Sequence, residues 1–285
     1  MPLPRVGVLC AISGMGGAEF SLLELVARLR GSYDFHLIVP AEGPLTRSAE
    51  LAGAKVWVLP WPEAIVSTGE TARRPSPAKM LRAAACLRSF TRSVSDLLDE
   101  IGPAALITNA AKAHMVGALA RKRKHVPLIW YMRDGQEDRV LSRKLLALLS
   151  RRCDVAICIS EYVAAQFREY ISTSVPTRVI YNIVDLNRFY PGVLPPADLR
   201  KGPDEIWFGM VGAITPLKGQ DIFLQAAEQV IAGLPKAVFV IVGNNPYFTE
   251  AGFRYEEQLR SRSDPDAAVS QFESTHEVQL LGKHF

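Results

Sequence analysis

The chain has 285 residues, of which 48% are hydrophobic and 22% are charged, a composition typical of a soluble globular protein long enough for two domains. No apolar run reaches the roughly 18 residues that a membrane-spanning helix requires, and we expect no signal peptide because the first residues lead directly into a predicted strand. The four cysteines are scattered, which excludes a disulfide scaffold and favours reduced thiols in the cytosol. Residues 1–185 carry seven more basic than acidic side chains, and residues 186–285 carry three more acidic than basic. The first part is therefore the candidate for meeting an anionic surface.

Hydrophobic patterns along the first part of the chain predict alternating strands and helices. Strands are predicted at 6–12, 35–39, 55–59, 104–108, 127–132, 155–159 and 178–181, and helices at 18–29, 45–52, 78–100, 110–124, 140–151 and 161–170. Residues 60–77 are rich in proline and glycine and predict a long surface loop. The alternation predicts one parallel sheet with helices on both faces.

The predicted helix at 78–100 carries basic residues, among them Arg82, Arg88 and Arg92. One interpretation is a basic amphipathic helix that touches acidic lipid head groups. The other is an ordinary helix whose charged face is solvated and whose apolar face packs on the sheet. The basic run at 121–124 leaves the same two interpretations open, and nothing in the chain resembles a nucleic-acid-binding module.

A second α/β unit follows a segment rich in proline and glycine at 186–204, which we predict to be a linker. Strands are predicted at 206–211, 237–242 and 278–282, and helices at 219–231 and 255–262. The predicted organisation is an N-terminal domain at 1–185, the linker, and a partial C-terminal domain at 205–285. The latter would be half of a doubly wound sheet.

The first predicted strand breaks into the loop Ser13-Gly14-Met15-Gly16-Gly17 before a helix begins. Free amides at a helix start, together with the helix dipole, favour an anion such as phosphate, although a tight turn without a ligand fits the same residues. The dinucleotide fingerprint requires a third glycine where this chain has Glu19, so a nicotinamide-dependent dehydrogenase is disfavoured. As an acid in the first turn, Glu19 instead suits the helix N-terminus.

Four stretches in this order and spacing give the chain a family resemblance: GGAE at 16–19, VAICISEY at 155–162, VIYNIVDLNRFYP at 179–191 and VGAITPLKGQDIFLQA at 211–226. Together they resemble the retaining glycosyltransferases of family 4, which have the GT-B fold. The resemblance implies an α/β protein with two facing Rossmann-like domains. The acceptor would sit mainly on the first and a nucleotide-diphosphate sugar mainly on the second, with no metal and no cofactor.

On the donor side, the resemblance implies that Lys218 is a catalytic residue that stabilises the leaving diphosphate. Lys218 and Gly219 open the helix after the strand at 206–211, where an ammonium group and free amides can face the developing negative charge. Gly16 and Gly17 would close the other side of the diphosphate with their backbone amides.

On the acceptor side, the resemblance implies roles for Arg133 and Asp134, which follow a strand where the family often carries a histidine. This pair either positions the acceptor or a phosphate, as catalytic residues, or forms a local ion pair. Glu19 and Asn109 are the other two residues that we expect on the acceptor side.

The chain also departs from the family pattern. Ala213 stands where the family usually has an arginine, and Asn182 is followed by Ile183 where the family usually has glycine. The sequence ends at Phe285, before the region in which the family carries a two-glutamate motif that grips the donor. We therefore expect the second domain to be incomplete and to lack the C-terminal part of the donor domain.

Two hypotheses follow. The first is a glycosyltransferase that moves a sugar from a nucleotide-diphosphate donor to the hydroxyl of a glycan or lipid-linked acceptor with retention, in surface polysaccharide or glycolipid synthesis. We expect it in the cytoplasm, in peripheral contact with the anionic inner face of the membrane. The alternative is a truncated, inactive homologue that binds an acceptor or serves as a partner subunit.

Overall fold

The computed structural model describes residues 2–66, 77–120, 126–135, 140–187, 189–192, 202–243, 250–262, 271–272 and 278–283. The chain divides into two compact units, residues 1–184 and residues 185–285. Each unit is built around its own sheet.

The first unit contains a seven-stranded sheet in which every neighbouring pair is parallel. Its strands are β1 (Arg5–Cys10), β2 (Asp34–Val39), β3 (Lys55–Val58), β4 (Ala105–Asn109), β5 (Leu128–Met132), β6 (Val155–Cys158) and β7 (Thr177–Val179). Their order across the sheet is β3-β2-β1-β4-β5-β6-β7. Short apolar runs such as VGVLC form these strands because a parallel sheet covered on both faces buries both sides of each strand.

The helices of the first unit lie in two layers, one on each face of the sheet. They are α1 (Gly17–Leu29), α2 (Pro44–Ala52), α3 (Glu63–Val66), α4 (Pro77–Ile101), α5 (Ala111–Ala120), α6 (Val140–Leu149) and α7 (Glu161–Tyr170). One core joins the sheet to α1 and α2 through residues such as Leu22 and Leu45. The other joins it to α4, α5, α6 and α7 through residues such as Val94, Leu146 and Phe167.

Several predicted boundaries differ from the structure. The region 60–77, predicted to be entirely loop, contains the short helix α3, and residues 67–76 lie outside the described part of the chain. The first strand ends at Cys10 rather than at Ile12, which is 37% exposed. The basic run at 121–124 also lies outside the described residues, whereas Arg82, Arg88 and Arg92 on α4 are exposed.

The second unit contains β8 (Ile206–Val211), a 3-10 turn (Pro216–Lys218), α8 (Gln220–Ile231), β9 (Ala237–Gly243), α9 (Glu250–Arg262), β10 (Gln271–Phe272) and β11 (Val278–Lys283). The sheet order is β10-β11-β9-β8. β8 and β9 are parallel, but β11 is antiparallel to β9. The prediction of a purely doubly wound half-sheet was wrong here, because β10 and β11 form a hairpin that reverses the chain before β11 reaches the sheet.

Among the described residues, none of the helices combines the length and the apolar character that crossing a membrane requires.

Candidate functional site

The strand order of the first unit reverses between β1 and β4. The helix that follows β1 packs on one face of the sheet and the helix that follows β4 packs on the other. In open α/β sheets, ligands bind beside the carboxyl ends of the strands at such a switch point. The glycine loop follows β1 at this place, Asn109 ends β4, and Arg133 follows β5.

The glycine loop ends in a helix start that Glu19 stabilises. Gly16 has extended backbone angles and caps α1, and its N–H donates to Oε2 of Glu19 at 3.1 Å. Glu19 is only 4% exposed, so it serves the helix N-terminus as the sequence predicted. The amides of Gly17 and Ala18 belong to the same first turn, in which N–H groups have no intrahelical acceptor. The loop therefore presents backbone donors at the switch point.

Five side chains from distant parts of the sequence form one hydrogen-bonded group, which we call the Glu19–Arg133 network. Asn109 donates from Nδ2 to Oε1 of Glu19 at 3.4 Å and accepts at Oδ1 from Nε of Arg133 at 2.7 Å. Asn182 accepts at Oδ1 from Oγ of Ser21 at 2.8 Å and, more weakly, from Nη1 of Arg133 at 3.5 Å. The structure thus brings together three of the predicted acceptor-side residues, Glu19, Asn109 and Arg133.

Burial governs the electrostatics of this network. Desolvation raises the pKa of the Glu19 carboxyl and lowers the pKa of the Arg133 guanidinium, while hydrogen bonds from the backbone and the charge of Arg133 act in the opposite direction on Glu19. Burial also raises the pKa of the neighbouring Cys10 thiol to about 12. The side-chain amide of Asn109 lies between the carboxylate of Glu19 and the guanidinium of Arg133, so these two groups do not form a direct ion pair.

The guanidinium of Arg133 is held by an aromatic ring as well as by amides. Its Cζ lies 3.9 Å from the centroid of the Tyr131 ring, a cation–π contact. Its Nη2 is buried, and no described residue forms a hydrogen bond with it. Asp134, the next residue, is exposed. Sequence reasoning assigned no role to Ser21 or Tyr131, and it noted Asn182 only as part of a motif.

In the second unit, Lys218 and Gly219 occupy the turn that leads into α8. Lys218 ends the 3-10 turn and is exposed, and Gly219 adopts a left-handed conformation with φ of 75° that favours glycine. Gln220, the first residue of α8, is fully buried and donates from Nε2 to the carbonyl oxygen of Ala213 at 2.7 Å. The turn that carries Lys218 is therefore fixed to the helix that follows it.

A tyrosine from α9 completes this arrangement. The hydroxyl of Tyr255 accepts from the backbone N–H of Asp221 at 3.1 Å and donates to Oδ1 of Asp221 at 2.9 Å. Burial is the main cause that raises the pKa of Tyr255. No local signal in the sequence could reveal this contact, because Tyr255 lies on a different helix from Asp221.

Residues 15–188 match Glycosyltransferase Family 4, and because the match covers more than half of the chain, the chain belongs to that family. A curated relative is the GDP-mannose-dependent monoacylated alpha-(1-6)-phosphatidylinositol monomannoside mannosyltransferase of Corynebacterium glutamicum. It is 27% identical over 165 residues, which make up 55% of this chain and 39% of the relative.

Solved structures extend the likeness to the second unit. HepE of Anabaena, crystallised with UDP-glucose, superposes with a TM-score of 0.69 at 20% identity and covers 91% of this chain and 66% of its own. A glycosyltransferase of Rickettsia africae superposes with a TM-score of 0.60 at 13% identity and covers 92% of this chain and 66% of its own. At these identities the likeness shows the fold, which is the GT-B-like α/β fold. The chain spans less than two thirds of the length of each of these proteins.

Proposed function

We propose that the chain is part of a retaining glycosyltransferase that uses a nucleotide-diphosphate sugar. The observation that carries the proposal is the Glu19–Arg133 network, a partly buried polar cluster at the switch point of a family 4 sheet. The solved relative that contains UDP-glucose and the curated relative that uses GDP-mannose support a nucleotide sugar as the donor. A site with fixed hydrogen-bond donors is suited to substrates rich in hydroxyl and phosphate oxygens.

Departure of the nucleoside diphosphate needs stabilisation of negative charge. When the bond between the anomeric carbon and the phosphate oxygen breaks, its electron pair stays on the diphosphate. We assign to Lys218 and the backbone amide of Gln220 at the start of α8 the role of facing this charge in place of a metal ion, since the N–H groups of Gly219 and Asp221 already donate within the protein. In the first unit we assign the corresponding role to the backbone amide of Gly17, because the N–H of Gly16 already donates to Glu19.

Retention requires the acceptor hydroxyl to attack from the face that the diphosphate leaves. The acceptor oxygen then bonds to the anomeric carbon, and its proton passes to an oxygen of the departing phosphate. No side-chain nucleophile is required, so the protein has to orient the two substrates and stabilise charge. Arg133, Asp134, Glu19 and Asn109 are the residues to which we assign orientation of the acceptor.

A lipid-linked acceptor is the class that we favour. The curated relative is named for a phosphatidylinositol monomannoside acceptor. The exposed arginines Arg82, Arg88 and Arg92 on α4 supply a basic surface for peripheral contact with an anionic membrane. We therefore propose that the protein works in the cytoplasm at the inner face of the membrane, in glycolipid or surface polysaccharide synthesis.

The test uses the full-length protein with UDP-glucose and GDP-mannose as donors, with and without a chelator. We expect release of nucleoside diphosphate from one donor, unaffected by the chelator, and an α-linked product determined by NMR. Lys218→Met should lower the turnover by about 100-fold or more. Lys236→Met is the matched control, because Lys236 is an exposed lysine of the same unit that pairs with Asp204. The absence of turnover and of nucleoside-diphosphate binding would overturn the proposal.

A further inference from the structure

Arg133 has one donor group that none of the described residues uses. Its Nε donates to Asn109 at 2.7 Å, and its Nη1 reaches Asn182 at the long distance of 3.5 Å. Its Nη2 is buried and has no hydrogen-bond partner in the described part of the chain. Buried polar groups in folded proteins nearly always have hydrogen-bond partners. A buried nitrogen that has none and carries part of a positive charge therefore indicates that a ligand supplies the hydrogen-bond acceptor.

The edge of the guanidinium that bears Nη1 and Nη2 is held in one orientation. The ring of Tyr131, which is 5% exposed, lies against its plane, and Asn109, which is 3% exposed, fixes the opposite edge at Nε. Asn109 cannot turn over without losing a bond, because its Oδ1 serves Arg133 and its Nδ2 serves Glu19. This is the kind of support that preorganises a binding group.

A second donor lies beside this edge. Oδ1 of Asn182 accepts from both Ser21 and Arg133, so the amide nitrogen of Asn182 points away from them. Asn182 is exposed, which leaves its Nδ2 open to a ligand.

Two carboxylates nearby, those of Glu19 and Asp134, favour the charged form of the Arg133 guanidinium, which an anion needs for binding. Both oxygens of Glu19 are occupied, one by the N–H of Gly16 and the other by Asn109, and its charge lies at the positive end of α1. Asp134 is exposed to water, which screens its charge. The Cys10 thiol, whose pKa burial raises to about 12, is uncharged at neutral pH.

We propose that the Nη1–Nη2 edge of Arg133, with Nδ2 of Asn182, binds an oxyanion that the acceptor carries near its reactive hydroxyl. Two parallel N–H groups in one plane match a phosphate or carboxylate better than a hydroxyl. Arg133 is thus a specificity-determining residue that selects acidic acceptors over neutral glycans. The statement that the anion belongs to the acceptor rests on the proposed function, whereas the oxyanion site itself is inferred from the geometry of Arg133.

The experiment titrates the full-length protein with glycerol phosphate, inorganic phosphate and acetate, with glycerol as the neutral match, and follows binding by NMR. In Arg133→Gln, the dissociation constant for the preferred anion should rise by about tenfold or more, the loss expected for a charge-assisted pair. Glycerol should bind equally to both proteins, and Arg133→Lys should fall between them. Arg178→Gln is the control, because Arg178 is an exposed arginine of the same unit whose Nη1 donates to a neighbouring carbonyl.

Phosphate and acetate distinguish the two possible oxyanions, since the protein should prefer one of them. Titration with UDP and GDP shows whether the anion site belongs to the acceptor or to the donor. The affinity of the protein for UDP and GDP should not change in Arg133→Gln. A loss of UDP or GDP affinity as large as the loss for the free anions would overturn the proposal, as would unchanged anion binding in a folded variant. If the anions depend on Arg133 but no nucleotide sugar is turned over, the proposed function fails and the oxyanion site survives.

Discussion

Arg133 donates from Nε to Oδ1 of Asn109 at 2.7 Å, and this bond joins the carboxyl ends of two adjacent strands, β5 and β4. Through Nδ2, the same amide reaches Glu19 at the start of α1, the helix that follows β1. The switch point of the sheet is therefore closed by one continuous set of hydrogen bonds. Because Asn109 holds both the acidic side chain of Glu19 and the basic side chain of Arg133 in place, we expect it to affect the stability of the protein and the orientation of a substrate together.

Replacing Asn109 with alanine should lower the free energy of unfolding by about 2 kcal/mol, because buried atoms of Glu19 and Arg133 lose their partner. Ser21→Ala removes a bond at the exposed end of the same network and should cost about 0.5–1 kcal/mol. Urea denaturation of both variants measures the difference. Equal losses would mean that Asn109 does not connect the network.

The sequence predicted the strands of the first unit and its helices other than α3, because each strand is a short apolar run and each longer helix has its own apolar face. It also predicted the loop at Gly16 and the role of Glu19 at the helix start, since both depend on neighbours within one turn. The partners of Arg133 and the bond from Ser21 to Asn182 were not predictable in this way. They join residues that lie far apart in the chain, and strand order rather than local pattern decides which side chains meet.

Tyr255→Phe should weaken the attachment of the Lys218 turn, because the hydroxyl of Tyr255 accepts the backbone N–H of Asp221 and donates to its carboxylate. We expect a loss of about 1 kcal/mol in the free energy of unfolding and a higher KM for the nucleotide sugar in the full-length protein. Tyr33→Phe is the control, since Tyr33 is 39% exposed. A normal KM in the Tyr255 variant would show that this hydroxyl does not position the turn.

His114 should make the protein sensitive to mild acid. Its ring stacks on Trp130, and its Nδ1 forms a hydrogen bond of 2.6 Å with Oγ1 of Thr108. Burial lowers the pKa of His114 to about 3. Because the unfolded chain binds the proton more readily, stability should fall as pH drops below about 6.5, by up to about 1.4 kcal/mol per pH unit.

Urea denaturation at pH 7 and pH 5 should reveal this slope in the natural protein. His114→Leu should be less stable at pH 7 but should lose less stability between the two values, because it has no imidazole to protonate. An identical change in both proteins would assign the acid sensitivity to other groups.

Gly243 should tolerate no side chain. A Cβ at this position, the last of β9, would collide with the carbonyl of Gly212, and the N–H of Gly212 donates to the carbonyl of Val242 at 2.9 Å. Gly243→Ala should therefore lower the free energy of unfolding by about 2–3 kcal/mol, as measured by urea denaturation. It should also weaken binding of the nucleotide sugar, because Gly212 begins the turn that leads to Lys218.

Gly209 within β8 is the matched control for Gly243. No atom of the described residues lies within 4 Å of a Cβ there, so alanine should be neutral or stabilise the protein by up to about 1 kcal/mol. If the two alanines had equal effects, the close approach of β9 to the Gly212 turn would not be what constrains Gly243.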